Sequence, residues 1–277
     1  MDIRLPTVAG AFYPAEKREL ESLIFELFSY WGLELSKRKA ENAKAFLMPH
    51  AGYIYSGYVA AKAYYLFPDV KTVAILGPNH TGLGADFAVS SADAWETPLG
   101  RVSVDTKACR KLTELSSRVE LDETAHLGEH SIEVQLPFLQ TVLPPGFKII
   151  PICIKGYYPD DEFLSACTEL GHTLAKVLPK DSAIVASSDM SHYVPASLAK
   201  ENDSLAIKEL IKMDVPGLFS TIAKNNISMC GYSAAAPSII AAKDMGVKSA
   251  KEIAYMTSGD VTGDQTSVVG YASVEFR

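Results

Sequence analysis

The 277-residue chain is 48% hydrophobic and 21% charged, which is ordinary for a globular protein and excludes a disordered one. Its formal net charge is -7 and its basic residues are scattered, so it lacks the basic footprint that nucleic-acid binding needs. No apolar run approaches about 18 residues, so we predict neither a nucleic-acid partner nor a membrane span.

The first predicted element is a helix over residues 14–31. Pro14 suits a first helical turn, and Leu20, Ile24 and Leu27 recur on one face, which should lie against a sheet. Five more helical patterns follow, over residues 58–67, 131–142, 162–178, 198–212 and 215–225. Short apolar runs alternate with these helices.

Four of the apolar runs end abruptly at clusters of polar residues, a pattern typical of strands buried on both faces. These runs cover residues 45–48, 72–76, 183–186 and 253–256, and two further strands are predicted over 147–154 and 267–275. The alternation predicts an α/β fold, a three-layer α/β/α sandwich with a mostly parallel or mixed central sheet. Because no linker or shift in composition divides the chain, we predict a single domain over residues 1–277.

Three of the six histidines, His50, His80 and His192, follow a predicted strand within a few residues, whereas His126 and His172 are predicted to be structural or exposed. Open sheets bind ligands outside the carboxyl ends of their strands, where a side chain is held rigidly and meets solvent. Two neutral imidazoles and one anionic ligand leave open positions on a divalent metal ion. The sequence therefore predicts a metal site or a proton-transfer site at this edge of the sheet.

Spacing alone leaves the third ligand of such a metal site open. The candidates are Asp189, Asp260, Asp264, Glu129, Glu133 and Cys230. Residues 259–264 form an acidic, turn-rich segment, but they lack the full calcium-loop pattern, so a structural turn is the favoured interpretation.

A second polar cluster surrounds the start of the helix predicted from residue 131. Glu129 and Glu133 would share one helix face, with His130 beside them. The chain lacks the matched acidic and histidine pairs of a di-iron protein. Two interpretations stay open, a capped and solvated helix start or a role beside the metal or substrate, and on the second His130 is a candidate catalytic residue.

Asp189 and His192 lie three residues apart directly after a predicted strand. If a helical turn begins there, the carboxylate would fix the tautomer of the imidazole and raise its basicity. His192 is then a candidate general base, with Asp189 as its catalytic partner. No G-x-S-x-G elbow surrounds Ser187 or Ser188, so helix capping and hydrogen bonding are favoured over a nucleophilic role for both serines.

The four cysteines, Cys109, Cys153, Cys167 and Cys230, form no C-x-x-C pair. The N-terminal segment also lacks the charged stretch and apolar run of a secretion signal. We therefore predict a cytoplasmic protein whose cysteines are mostly buried free thiols.

Six short motifs, taken together and in order, resemble the Memo family. They are Pro-Thr-Val-Ala-Gly-Ala-Phe-Tyr-Pro at 6–14, Pro-His-Ala-Gly-Tyr at 49–53, Gly-Pro-Asn-His at 77–80, Glu-His-Ser-Ile-Glu at 129–133, Ser-Ser-Asp at 187–189 and Met-Cys-Gly at 229–231. The resemblance covers nearly the whole chain, and six motifs in one order are specific where each alone is weak.

The resemblance implies a fold similar to class III non-haem iron extradiol dioxygenases, with a metal pocket whose ligands are His50, His80 and Cys230. The implied cofactor is a divalent or redox metal, iron first and zinc or copper as alternatives, and purified protein could lack it. A functional association with a radical S-adenosylmethionine protein is implied as well. Because a softer, oxidisable thiolate replaces the carboxylate of the dioxygenases, dioxygenase activity itself does not follow.

Three functions stay open at this point. The first is redox or oxygen chemistry on an unknown small substrate at the metal. The second is a non-catalytic module that binds a peptide or partner protein, with Tyr13, Tyr53, Tyr55 and Trp95 as aromatic contacts. The third is a metal-dependent hydrolase in which His192 accepts a proton from water.

Overall fold

The strands predicted from buried apolar runs form the centre of one large mixed sheet in the computed structural model, which describes residues 2–277. The strands are β1 (Ile3–Arg4), β2 (Ala45–Met48), β3 (Thr72–Pro78), β4 (Phe87–Val89), β5 (Ala94–Thr97), β6 (Gly100–Val104), β7 (Val119–Leu121), β8 (Lys148–Ile154), β9 (Ser182–Ser187), β10 (His192–Val194), β11 (Ala250–Thr257) and β12 (Val268–Phe276). The α-helices are α1 (Lys17–Tyr30), α2 (Tyr53–Tyr64), α3 (Thr106–Leu115), α4 (Leu136–Val142), α5 (Asp161–Val177), α6 (Ala196–Lys212), α7 (Val215–Asn225), α8 (Tyr232–Asp244) and α9 (Ser258–Thr262).

The sheet has a parallel centre and antiparallel margins. Strands run in the order β1-β5-β6-β8-β3-β9-β2-β12-β10, with β11 also paired to β12 and β4 paired to both β8 and β7. Neighbours from β6 through β8, β3 and β9 to β2 are parallel, whereas β12 is antiparallel to β2. Every residue of β3 and β9 is buried, as expected for central strands covered on both faces.

Helices flank this sheet, so the predicted layered α/β architecture with a mixed central sheet is confirmed. Helix α8 lies on β3 and β9, and α5 packs along α8 where Gly171 permits close approach: a Cβ there would meet Ile240 at 2.7 Å. Elsewhere α1 packs on α2 through a second glycine contact, because a Cβ on Gly57 would come within 2.6 Å of Leu27. None of the helices in residues 2–277 combines the length and the apolar character that crossing a bilayer demands.

The predicted helix boundaries differ from the observed ones mainly at two places. Helix α2 begins at Tyr53, five residues before the predicted start, because the Tyr53 amide donates to Phe12 O at 2.7 Å and the tyrosine side chain is buried. The predicted helix 131–142 divides into a 3-10 helix, Glu133–Gln135, and α4, which begins at Leu136 with a proline in its first turn. Helix α3, with only three buried side chains, helices α8 and α9, and strands β1, β4–β7 and β10 were not among the predicted elements.

The strand order places three strand ends side by side. In the sheet β9 lies between β3 and β2, and all three run in the same direction. His80 lies two residues after β3, His50 lies two residues after β2, and Ser187 ends β9. The carboxyl edge of the parallel centre therefore carries the histidines that the sequence predicts for a site.

Candidate metal centre

The three residues that the resemblance implies as ligands come together at this edge. His50 Nε2 lies 3.2 Å from Cys230 Sγ, although 180 residues separate the two along the chain. One nitrogen of His50, one nitrogen of His80 and Cys230 Sγ all lie within 4.8 Å of one another. His50 is buried, Cys230 is partly exposed and His80 is exposed, so the group opens to solvent on one side.

The neighbours of His50 determine which of its ring nitrogens is free. Ser187 Oγ donates to Ser131 O at 2.6 Å, and Gln135 Nε2 donates to Ser187 Oγ at 2.8 Å. The orientation of the Gln135 amide follows from its oxygen, which accepts from Tyr64 OH at 2.8 Å. With its own proton already committed, Ser187 Oγ can only accept from His50 Nδ1, which lies 2.9 Å away. His50 is therefore the Nδ1–H tautomer, and its Nε2 lone pair faces Cys230.

His80 is held in the same tautomer by a charged partner. Its Nδ1 lies 3.0 Å from Glu129 Oε1, and its backbone amide donates to Glu129 Oε2 at 2.6 Å. A carboxylate only accepts, so Nδ1 carries the proton and Nε2 is free. The amides of His130 and Ser131 each donate to Glu129 Oε1 at 2.8 Å, which fixes the carboxylate. A carboxylate behind a histidine is a common means of orienting a metal ligand.

A close backbone approach positions the sulfur of Cys230. The cysteine precedes Gly231, the residue before α8, and the Gly231 amide donates to Ser188 Oγ at 3.0 Å. A Cβ on Gly231 would lie 2.2 Å from Ser187 O, so only glycine allows this approach. The Asp189 amide lies 3.3 Å from Cys230 Sγ and donates toward it, but burial and the nearby Asp189 carboxylate outweigh this contact and raise the pKa of the Cys230 thiol.

The electrostatics of the cluster keep His50 neutral and Glu129 ionised. Burial, together with neighbouring His130 and His80, holds the pKa of His50 well below its usual range. Burial also lowers the pKa of His130 to about 4. Burial opposes charge on His80 too, but the hydrogen bond and charge of Glu129 outweigh it and raise the pKa of His80. Burial would raise the pKa of Glu129, yet the hydrogen bond and charge of His80 lower it to about 2.

A cavity of about 490 Å³ opens beside two of the three candidate ligands, His50 and His80. His130, Asp189 and His192, the candidate catalytic residues, all line it together with His50 and His80. The rings of His130 and His80 stack with their centroids 4.6 Å apart. The predicted catalytic residues therefore share one pocket with the predicted ligands.

The prediction of a helical turn joining Asp189 to His192 is wrong. His192 begins strand β10, and its Nδ1 lies 2.8 Å from Ser228 O while its amide donates to Ser228 Oγ at 2.8 Å. A carbonyl can only accept, so Ser228 rather than Asp189 sets the Nδ1–H tautomer of His192. Asp189 instead accepts from the His50 amide at 2.8 Å, and burial raises the pKa of its carboxyl to about 6.

The other candidates for the third ligand have different roles. Glu129 orients His80, and Glu133 forms a buried pair with Arg4 at 2.7 Å, so the two do not form a solvated helix start. Asp260 caps α9 through the Thr257 backbone amide, so residues 259–264 are a short helix and its turn. Asp264 is exposed and accepts from Thr266. Cys230 is thus the member of the candidate set that offers its ligand atom next to both histidines.

The remaining histidines, cysteines and serines follow the predictions in part. His126 is buried, which lowers its pKa to about 3, and exposed His172 pairs with Asp244 at 2.6 Å, so neither joins the site. Within residues 2–277 all four cysteines are free, and three of them are buried. Ser187 caps no helix, because it ends β9, but the favoured hydrogen-bonding role is observed: Ser187 Oγ bonds to His50, and Ser188 Oγ accepts from the Gly231 amide at the start of α8.

The predicted aromatic contacts for a partner are mostly unavailable. Tyr13, Tyr53 and Trp95 are at most 3% exposed. Tyr13 OH donates to Glu133, Tyr53 OH donates to Val134 O, and Trp95 Nε1 donates to Ser90 Oγ, so these side chains are structural. Only Tyr55 among the four lines the cavity.

The donor set fits a single first-row metal ion. Typical zinc bonds of 2.3 Å to sulfur and 2.0–2.1 Å to nitrogen put tetrahedral ligands about 3.6 Å apart, close to the 3.2 Å between Cys230 Sγ and His50 Nε2. Each imidazole is oriented by a hydrogen bond from Nδ1 to Ser187 or Glu129, so Nε2 is the nitrogen that can bind an ion when the ring is neutral. The sequence did not reveal Gln135, Ser228 or the orienting role of Ser187, because a serine or glutamine that orients a histidine carries no local signature.

We expect Ser187→Ala to weaken metal binding by roughly 10–100-fold, the usual effect of removing a group that orients a ligand. The substitution removes the acceptor for His50 Nδ1–H, so the tautomer is no longer fixed. Zn(II) titration would measure the affinity, and long-range ¹H–¹⁵N NMR would report the tautomer of His50. Ser182→Ala, at the opposite end of β9 with its hydroxyl bonded to Pro179 O, is the matched control. Unchanged affinity together with an unchanged tautomer would refute this role of Ser187.

Comparison with known proteins identifies the same family that the six sequence motifs resemble. The chain matches the Memo-like protein family over residues 4–275. A MEMO1 family protein of Methanosarcina barkeri is 42% identical over 272 residues, covering 98% of this chain and 99% of that one. A MEMO1 family protein of Sulfolobus acidocaldarius is 43% identical and covers 99% of each chain. An uncharacterised protein of Escherichia coli K12 shares the fold with a TM-score of 0.58 at 12% identity, over 85% of this chain and 100% of that one.

Proposed function

Because the chain belongs to the Memo-like family, we propose that it binds a single metal ion through the Nε2 atoms of His50 and His80 and the thiolate of Cys230. Iron is the first choice, with zinc and copper as alternatives. The bound ion serves redox or oxygen chemistry on a small molecule that enters the adjoining cavity.

One observation carries this proposal: one nitrogen from each of two imidazoles and one sulfur lie within 4.8 Å of one another, and the nitrogen of His50 nearest the sulfur is Nε2. Metal ligation requires unprotonated imidazole nitrogen, and the hydrogen bonds from His50 to Ser187 and from His80 to Glu129 provide it. Two histidines and one anion leave coordination positions for water or substrate. The cavity lies on the open side of the ligand set, where a substrate would approach.

The thiolate decides which metals are compatible. A carboxylate in the place of Cys230 would favour Fe(II), whereas sulfur keeps the single negative charge but is softer and so admits Zn(II) and Cu(I) as well. Sulfur is also open to oxidation when oxygen is present. We therefore extend the proposal to redox chemistry in general and do not restrict it to ring-cleaving dioxygenation.

The side chains around the cavity would handle substrate and protons. The ion, when bound, supplies Lewis acidity and, if it is redox active, electron transfer. His192 presents an unprotonated Nε2 in its neutral form, because Ser228 O holds the proton on Nδ1, and Nε2 can accept a proton from the substrate. His130 stays neutral and packs between Phe12 and His80, with centroids 4.6 Å from each ring, so it would orient substrate against His80.

Metal loading and X-ray absorption test the proposal directly. Protein reconstituted without oxygen is incubated separately with Fe(II), Zn(II) and Cu(I), desalted and analysed for metal. We expect one ion per chain for at least one metal, with an absorption spectrum that contains one sulfur and two imidazole ligands. Substoichiometric loading by all three ions, or a bound ion without a sulfur ligand, would refute the assignment.

A second candidate function, metal-assisted hydrolysis, is supported by the same acceptor nitrogen of His192. In that reaction His192 would take a proton from water at the metal, and no net redox change would occur. Oxygen uptake on catechols and product release from ester and amide substrates distinguish the two. Hydrolysis without oxygen uptake by the loaded protein would favour the second candidate.

A further inference from the structure

Tyr193 has an unusual backbone conformation at the mouth of the cavity. Its φ is +56°, in the left-handed region that favours glycine and is unfavourable for residues that carry a Cβ. Asparagine and aspartate tolerate this region because short polar side chains bond locally, which a tyrosine ring does not do. The conformation therefore requires an explanation.

A β-bulge imposes this conformation. Strand β10 pairs with β12 through His192 to Val269 and Val194 to Val268, so Tyr193 is an extra residue without a partner on β12. Bulges that place a residue in the left-handed region normally use glycine, and they redirect a side chain, often beside active sites. Here the bulge carries the residue directly after His192, the proposed proton acceptor.

Folding gains little from the Tyr193 side chain. The residue is 79% exposed, so burial of its ring does not offset the conformational cost. The residue does line the cavity, and its ring lies 5.9 Å from the ring of His192 in an edge-on arrangement. Strained backbone conformations that packing does not stabilise are found mainly at active sites and ligand-binding sites. The strain at Tyr193, which lies at a pocket, therefore points to a contact with a ligand.

The surrounding walls indicate what the tyrosine would contact. Phe12, Tyr55 and Tyr271 also line the cavity, so its sides are largely aromatic. Asp189 supplies a carboxylate, and Glu129 supplies another behind His80. Among the described residues, no lysine or arginine lines this cavity. Away from His80 and the ion that the proposed function places beside it, an anionic group would find no lysine or arginine of residues 2–277 as a counter-charge, whereas a flat group could stack on the rings.

We propose that Tyr193 is a specificity-determining residue, held by the bulge so that its ring stacks on a planar substrate group that carries no negative charge. The inference rests on the proposed function in that it assigns this cavity to the substrate. It does not require a bound metal, because the residues that line the cavity belong to the chain itself.

Three variants distinguish the effect of the Tyr193 ring from the effect of the backbone strain. Tyr193→Phe keeps both the ring and the strain, Tyr193→Ala keeps the strain alone, and Tyr193→Gly removes both. NMR titration of metal-free protein uses benzyl alcohol as the planar neutral probe, cyclohexylmethanol as its non-planar match and benzoate as its anionic match. The amide signals of Gly52 and His192 report binding in the cavity, where both residues lie.

The expected pattern has two parts. Benzyl alcohol should bind wild type and the phenylalanine variant equally, and the alanine and glycine variants roughly threefold to tenfold more weakly. Cyclohexylmethanol and benzoate should bind wild type more weakly than benzyl alcohol does. The glycine variant should melt about 2–4 °C above the alanine variant, because it alone relieves the backbone strain.

The results that would overturn this inference are distinct from those that would show that the site binds no metal. Equal benzyl alcohol binding by wild type and the alanine variant, benzoate as the tightest probe, or no benzyl alcohol binding would each refute the role of Tyr193. All titrations are made without metal. Normal probe binding by a chain that loads no metal would therefore refute only the proposed function.

Discussion

Replacing His50 and His80 together with alanine should abolish stoichiometric metal binding. The two rings supply two of the three ligand atoms that lie within 4.8 Å of one another, and Cys230 alone cannot hold an ion. The loss should lie well beyond the roughly 10–100-fold expected when only an orienting group is removed. Metal analysis after separate incubation with Fe(II), Zn(II) and Cu(I) measures the effect.

The chain offers a matched control for this experiment. His172 is an exposed histidine that pairs with Asp244 at 2.6 Å and lies outside the site, so His172→Ala should retain wild-type metal content. Cys230→Ser tests the third ligand separately, because it keeps the approximate shape and removes the soft anion. If the double variant and wild type retain equal, substoichiometric metal, the site is not a metal centre.

Replacing Glu133 with glutamine should lower the free energy of unfolding by about 3–5 kcal/mol, the usual cost of breaking one partner of a buried ion pair. Its carboxylate accepts from Arg4 at 2.7 Å, from Tyr13 OH at 2.7 Å, and from the amides of Thr7 and Val8 at 2.9 and 3.1 Å. The side chains of Arg4 and Glu133 are 4% and 0% exposed, so solvent cannot replace these contacts. Urea unfolding of the metal-free protein measures the change.

The pH dependence of stability should change in the same variant. Burial alone would raise the pKa of Glu133, but the Arg4 charge and the hydrogen bonds lower it below the ordinary value of 4.5. A carboxyl group with a depressed folded pKa contributes stability above its unfolded pKa and loses it as the pH falls through the folded value. Wild type should therefore lose stability as the pH falls below about 4.5, and Glu133→Gln should lose less.

An exposed ion pair provides the comparison for Glu133. Glu21 and Lys17 are 3.8 Å apart with side chains 53% and 61% exposed, so Glu21→Gln should change stability by less than about 0.5 kcal/mol. Glu133 also secures the N-terminal segment that carries Phe12 to the cavity. Equal stabilities of the Glu133 and Glu21 variants would show that the buried pair does not anchor this segment.

Local sequence pattern was sufficient for the strands that build the site. The runs that became β2, β3 and β9 are short, apolar and followed by turn residues, and both His50 and His80 directly follow such a run. Parallel strands bring their carboxyl ends to one edge, so two candidate ligands could be placed at that edge from the sequence alone. Helix α7 was predicted with its observed bounds, Val215–Asn225, because its proline and apolar spacing are local signals as well.

The sequence by itself determined the α/β architecture, the family resemblance and the edge of the sheet on which the histidines lie, since each depends on periodicity or on motifs within a short stretch of chain. Only the tertiary structure decided how Cys230 meets His50 across 180 residues, because that approach depends on Gly231 fitting against the end of β9. The tautomers of the histidines likewise depend on Ser187, Glu129 and Ser228, whose hydrogen bonds form only after distant segments have packed. Such contacts produce no repeating pattern in the sequence, because a hydrogen bond between two distant residues depends on those two residues alone.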